Sequence, residues 1–310
     1  MFMAEVREEL AHSHPGDHHQ QLAETAALLR IGGTLELVGG LGPDGIAIVV
    51  PTSSGAVARR LHAALRRIGD DRPDVEVHAP HGLQRTTLYR VRLSAAAALL
   101  SMAGIIDDDG HLRAVPAPSL TTTEPTLAAY LRGALMVGGS ITDPRRDAHL
   151  EVATGTEASA EHLAGLLRRA GAHSVAKGVH RERWRIVIKS GSQIGAVLAT
   201  VGAHQSFLRW DEGRLRRELR GAANRAANAD RANVARSVTA SAEQTEAIHR
   251  VIAGVGLDEL PLDLAAVALA RLANPEASLG QLGELLDPPV GKATVHRRLG
   301  RLLTMDPTVG

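Results

Sequence analysis

The chain states one structural unit twice. Residues 25–35 read T-A-A-L-L-R-I-G-G-T-L, and residues 131–141 read L-R-G-A-L-M-V-G-G-S-I. Gly32-Gly33 and Gly138-Gly139 each end an apolar helical run, and each is followed by a small hydroxyl residue and an aliphatic one. The two pairs lie 106 residues apart (33 to 139), and the patterns that follow them are alike. Duplication implies a pseudo-twofold molecule, and such a molecule suits a pseudo-twofold ligand such as duplex DNA.

Hydrophobic periodicity predicts the order α-β-β-α-β-β-α in each copy. In the first, helices fall near residues 21–31, 53–68 and 95–105, with strands near 34–38, 45–51, 75–79 and 86–93. Gly39, Gly40, Gly42, Pro43, Asp44 and Gly45 supply the first turn. In the second, helices fall near 125–137, 157–170 and 192–201, with strands near 140–141, 148–153, 174–179 and 183–189. The expected class is α+β, a duplicated αββαββα domain followed by an all-α unit. The expected divisions are a tail at 1–20, repeat one at 21–105, a linker at 106–124, repeat two at 125–206, a basic connector at 207–240 and a helix-turn-helix unit at 241–310.

Composition narrows the class. Aromatics make up 2% of the 310 residues, so Leu, Val, Ile and Ala must build the cores. There is no Cys, which removes disulfides, thiolate metal sites and Cys nucleophiles. No apolar stretch reaches membrane-spanning length, and the N-terminus is too acidic and broken for a signal peptide, so a cytoplasmic protein is expected. The net charge of +1 neither favours nor opposes a nucleic acid; distribution decides. His12, His14, His18 and His19 have ligand chemistry, but Pro15-Gly16 breaks their register, and they read as a polar tail. No metal and no cofactor is expected.

The recognition signal lies near the C-terminus. Two short predicted helices, 279–286 and 292–303, flank Asp287-Pro288-Pro289-Val290, the outline of a helix-turn-helix. Ser278 with Gln281 fits a capping box. At about 100° per residue, Val295, Leu299, Leu302 and Leu303 share one side of the second helix, while Thr294, Arg297, Arg298 and Arg301 share another. His296 flanks that side, Lys292 opens the helix, and no acid follows until Asp306. An ordinary amphipathic helix has the same wheel; its place after a turn, without acids four residues away, points to DNA.

Two further basic surfaces are ambiguous. Residues 209–236 are rich in Ala, Arg and Asn, with Gly213 and Gly221 as punctuation. Their Arg214, Arg217, Arg220 and Arg225 fit phosphate contacts and a solvated surface helix equally well. Arg90 and Arg92, and Arg183 and Arg185, alternate with apolar residues on predicted strands, as solvated sheets also allow.

The helix ending in Gly-Gly, followed by ββαββα, resembles the LAGLIDADG homing-endonuclease fold. With the basic connector and terminal helix-turn-helix, residues 20–305 are similar throughout to the WhiA family. The match is carried by Leu131-Arg132-Gly133-Ala134 through Gly138-Gly139-Ser140, Asp143-Pro144, His149-Leu150-Glu151 and Gly202-Ala203-His204. It continues in Asn224-Arg225 through Asn228, in Asn233, and in Ala277-Ser278-Leu279 through Gly283-Glu284-Leu285-Leu286-Asp287-Pro288-Pro289. The resemblance implies a sequence-specific DNA-binding transcriptional regulator of Gram-positive bacteria. It ties that regulator to cell division, chromosome segregation and, in actinobacteria, sporulation, with a WhiB-type iron–sulfur protein as a partner. Family members often carry a Cys-Cys pair before the first helix; here the His-rich stretch stands instead.

The nuclease alternative turns on chemistry. An active LAGLIDADG enzyme resembles a two-metal phosphodiesterase, with an Asp or Glu ending each motif helix. The corresponding positions here are Gly32 and Gly138, which offer no ligand. Glu36 and Asp143 follow at inequivalent places. No nuclease activity is therefore expected. An interaction scaffold with incidental DNA affinity is the remaining alternative.

Overall fold

A computed structural model describes residues 2–38, 45–69, 72–80, 85–107, 109–180 and 182–305. The chain divides into two compact units, Met1–Glu218 and Leu219–Gly310. In the first, helix α1 (Phe2–His12) precedes repeat one: α2 (His18–Gly32), β1 (Thr34–Leu37), β2 (Ile46–Thr52), α3 (Gly55–Gly69), β3 (Asp74–His78), β4 (Leu88–Leu93) and α4 (Ala97–Met102). Repeat two runs α5 (Glu124–Gly138), β5 (Gly139–Ile141), β6 (Leu150–Thr154), α6 (Glu157–Arg169), β7 (Val175–His180), β8 (Arg183–Ile188) and α7 (Gly191–Thr200). The predicted order holds in both copies. The turn assigned to Gly39, Gly40, Gly42, Pro43 and Asp44 lies outside the described residues, as do Asp108 and Asp306.

Each repeat forms one antiparallel sheet, ordered β1-β2-β4-β3 and β5-β6-β8-β7. Alternation buries Val91 and Leu93, or Ile186 and Ile188, against the helices and turns the neighbouring arginines outward. Side-chain caps start the helices: Asp17 accepts from the Gln20 N–H and Thr123 from the Thr126 N–H.

Helices α2 and α5 form the seam between the repeats. Small residues let their backbones approach closely. A Cβ on Gly32 would stand 2.9 Å from Val137 Cβ, and one on Gly138 would stand 2.7 Å from Ile31 Cγ2 and 2.8 Å from the Ala153 carbonyl. One on Gly133 would stand 2.9 Å from Ala27 Cβ and collide with the Glu24 carbonyl. These glycines serve space rather than backbone freedom. The C-caps Gly33 and Gly139 hold ordinary extended angles, φ −82° and −81°. Beyond ending the helical runs, these glycines are required for close approach.

A buried ion cluster crosses the same seam. The Glu24 carboxylate, 5% exposed, accepts from Arg132 Nε of α5 at 2.6 Å. It also accepts from Arg60 of α3, through Nη2 at 2.9 Å and through Nε. The remaining Arg60 nitrogen reaches the carbonyls of Ala11 and Ser13. One carboxylate therefore joins α2, α3 and α5. The position 106 residues later holds Tyr130, buried and edge-on to His162 with ring centroids 6.1 Å apart. Burial pushes its phenol up to about 12.

Two sequence expectations need correction. Residues 1–20 are not a tail: α1 buries Phe2, Met3, Val6 and Leu10 in the main core. Arg7 donates to the Met136 and Gly139 carbonyls at the end of α5, at 3.0 and 2.7 Å. Residues 207–240 are not a separate connector either. They belong to one helix, α8 (His204–Val255), of 52 residues. Glu9 of α1 caps its start, accepting from the N–H groups of Gln205 and Ser206 at 2.7 and 2.8 Å. Gly213 does not break it, since the glycine makes room for Pro144, 2.7 Å from the Cβ it lacks.

Replacing Glu24 by Ala leaves two buried guanidinium groups without their counter-charge. The expected loss is about 3–5 kcal/mol of unfolding free energy, read by urea denaturation. A loss within the range of surface substitutions would show that both cations find water instead.

Candidate nucleic-acid interface

The second unit holds most of α8 with α9 (Leu262–Ala273), α10 (Leu279–Glu284) and α11 (Lys292–Leu303). Its core joins Ile248 and Val251 of α8 to Leu264, Val267 and Ala268 of α9, Leu282 of α10 and Val295, Leu299 and Leu302 of α11. The capping box is present: Ser278 Oγ accepts from the Gln281 N–H at 3.3 Å, and Gln281 Oε1 accepts from the Ser278 N–H at 2.8 Å. Gly283 seats the turn, since a Cβ there would collide with the Val290 carbonyl. The Val290 N–H donates to the Gly283 carbonyl at 2.9 Å. These contacts hold α11 against α10 with one side of α11 in solvent.

The exposed side of α11 differs from the wheel. Lys292, Ala293, His296, Arg297, Gly300 and Arg301 are exposed, while Thr294 and Arg298 are half-buried. Arg298 Nε lies 3.4 Å from Asp263 Oδ2 of α9, and Arg301 Nη1 lies 4.0 Å from the same oxygen. Asp263 was missed because the test for acids looked along α11 alone. Lys292, His296 and Arg297 form no ion pair among the described residues. Ala293 and Gly300 beside them leave room for close approach by a groove.

The arginines of α8 separate into two kinds. Arg214 binds Asp211 Oδ1 at 2.8 Å and Glu218 Oε1 at 2.8 Å, contacts that raise its pKa further. Arg217 donates to the carbonyls of Pro144, at 3.1 Å, and Arg146. Arg220 also has a partner. Arg225 stands exposed, with no ion pair among the described residues.

The sheet surfaces are nearly charge-balanced. Glu36 holds both Arg90, at 3.6 Å, and Arg92, while Glu76 lies 3.7 Å from Arg90. Glu151 holds Arg185 at 2.5 Å and lies 3.6 Å from His149. Glu36, the acid nearest the first glycine pair, is therefore engaged by arginines. Asp143, the acid that follows the second glycine pair, accepts from Arg145 at 2.9 Å and is held well below the usual carboxylate range by it.

Three linker groups could meet a cation: ligand atoms of Asp107, Asp109 and His111 lie within 4.8 Å of one another. Asp107 Oδ1 already accepts from the N–H groups of Asp109 and His111, at 3.1 and 2.8 Å, and so closes a loop turn. Among the described residues, the four N-terminal histidines form no such group. Nor is any described helix long and apolar enough to cross a membrane.

Fold and site together define a duplicated LAGLIDADG-like domain joined to a helix-turn-helix unit. Family models match each part: the WhiA N-terminal LAGLIDADG-like domain at residues 18–106, the WhiA LAGLIDADG-like domain at 127–220 and the WhiA C-terminal HTH domain at 223–306. The "Probable cell division protein WhiA" of Acidothermus cellulolyticus is 38% identical over 304 residues, covering 97% of this chain and 92% of that protein. The protein of the same name from Heliobacterium modesticaldum is 36% identical, covering 97% and 94%. Full-length DUF199/WhiA from Thermatoga maritima shares the fold, with a TM-score of 0.57 at 24% identity over 99% of this chain and 98% of that one. The chain belongs to the WhiA family.

Gly138→Asp would return an acid to the seam against Ile31 and the Ala153 carbonyl. Overpacking there is expected to cost about 1–3 kcal/mol of stability by chemical denaturation. An unchanged midpoint would show that the seam opens readily.

Proposed function

We propose that this chain is a non-enzymatic, sequence-specific DNA-binding regulator of cell division. The reading rests on one observation: α11 follows a helix-turn-helix turn and presents Lys292, His296 and Arg297 to solvent without acidic partners. A guanidinium there can donate two hydrogen bonds to guanine O6 and N7, and an ammonium at the helix start can meet a phosphate. Thr294 and Arg301 border this surface. Ser278, whose hydroxyl oxygen caps α10, can still donate its proton to a phosphate. Arg298 is shared with Asp263 and contributes less. Of the α8 arginines, Arg225 is the phosphate contact; Arg214, Arg217 and Arg220 serve internal partners.

The duplicated domain lacks the ligand set for metal-assisted cleavage. Glycine stands at both positions where carboxylates would meet, and Glu36 and Asp143 are held by arginines. Its charge-balanced sheets suit a protein partner better than a polyanion, and a WhiB-type iron–sulfur regulator fits that role by family resemblance. Chromosome segregation, sporulation control and residence on the nucleoid follow from the same resemblance.

Duplex binding should weaken steeply with salt. Arg297→Ala is expected to cost about 1–3 kcal/mol on a selected site and little on random DNA, measured by fluorescence anisotropy. The Arg297→Ala/Arg298→Ala double variant should lose discrimination between the two duplexes. Full retention of it would sink the assignment of α11 as the reading helix. Supercoiled plasmid incubated with Mg²⁺ or Mn²⁺ should remain un-nicked.

A further inference from the structure

Among the described residues, one buried cation of the second unit has no counter-charge. Arg271 of α9 is 3% exposed, and its partners are all neutral. Its Nη1 donates to the carbonyls of Ala277 and Pro275, at 2.7 and 3.3 Å, and to Ser241 Oγ at 3.4 Å. Its Nε–H is buried without an acceptor. Among the described residues no carboxylate comes within ion-pair range of it. Burial lowers the pKa of the guanidinium, yet an arginine keeps its proton, so the charge persists in a poorly solvated place.

Arg271 borders a cleft of about 350 Å³ that Ser237, Ser241, Gln244, Ser278 and Lys292 also line. Two cations and three hydroxyls face this space, and no acid lines it. Gln244 Oε1 is buried without a donor; turning the amide over would present its NH₂ to the cleft instead. Every polar group here can donate a proton. That donor set is wrong for a metal and right for an oxyanion. The cleft also opens beside the first residue of α11, the helix read above as entering the groove.

We propose that this cleft seats a DNA backbone phosphate, with the buried Arg271 and the ammonium of the exposed Lys292 as its two charges. The proposal rests on the DNA-binding reading and adds a fixed anchor to it. A phosphate between Arg271 and Lys292 sets how deep the start of α11 lies in the groove, because Lys292 belongs to both surfaces. Ser237 places α8 on the same phosphate.

The full chain with a labelled duplex, followed by anisotropy across a salt series, tests this. Ser237→Glu puts a carboxylate at the mouth of the cleft from an exposed helical position. It should weaken binding roughly tenfold and reduce the slope of log affinity against log salt by about 0.9. Arg271→Lys should act in the same direction, with circular dichroism reporting its folding. If Ser237→Glu keeps the parent's affinity and slope while Arg297→Ala loses discrimination, the cleft assignment fails alone. If neither variant changes binding, the DNA-binding reading fails with it. Inorganic phosphate at matched ionic strength is the second arm. Phosphate that raises the melting temperature of the parent but not of Ser237→Glu, with duplex binding unaltered, would give the cleft to a free phosphorylated ligand and overturn the proposal.

Discussion

The close approach of α2 and α5 governs the first unit. Two helices can meet at such short range only where side chains are missing, and Gly32, Gly133 and Gly138 supply those gaps. Each gap is filled by the opposing helix or sheet: Val137 over Gly32, Ala27 over Gly133, Ile31 over Gly138. Dispersion between closely packed apolar groups then holds most of the seam together. Glu24 is the exception, and it is neutralised by two arginines that tie the seam to α3. Its charge is already answered by two guanidinium groups, which oppose the approach of a divalent ion.

Under the non-enzymatic reading proposed above, this packing ties the duplicated fold to a seam with glycine at the matching helix ends. A two-metal centre needs carboxylates facing each other with room for ions and water between them. Glycines that let apolar side chains interlock remove both the ligands and the room. A tighter seam and a metal site are alternative uses of the same few cubic ångströms. The repeats also differ at matching places, where Glu24 centres an ion cluster and Tyr130 packs edge-on to His162.

Much of this was legible in the sequence, because periodicity reports burial. Strands such as 183–188 alternate cleanly, and the observed helix 292–303 matches its prediction at both ends. What escaped were features set by contacts between distant segments. Phe2 and Met3 look like an unremarkable start until Trp210, its ring centroid 5.7 Å from that of Phe2, gives them a partner. Gly213 and Gly221 read as breaks, yet helix propensity is a weak prior over so long an Ala- and Arg-rich run, and Pro144 explains the first. The arginine surface was overcounted for the same reason. Asp263 lies 35 residues from Arg298, and Pro144 lies 73 from Arg217, so no local window contains either pair.

Charge distribution resolves why a chain of net charge +1 can be a ligand for a polyanion. On the sheets, arginines and glutamates neutralise each other across strand pairs: Glu36 answers Arg90 and Arg92, and Glu151 answers Arg185. In the second unit the balance is broken locally. Lys292, Arg297 and the buried Arg271 carry charges that no described carboxylate answers. Screening limits exposed charges to short range, so acids elsewhere in the chain do little to cancel them. An unanswered exposed cation is cheaply solvated, but an unanswered buried one is not. Arg271 is thus the strongest single indication that an anion completes this unit, because the cost of leaving it alone falls on the free protein and is relieved only when the anion arrives.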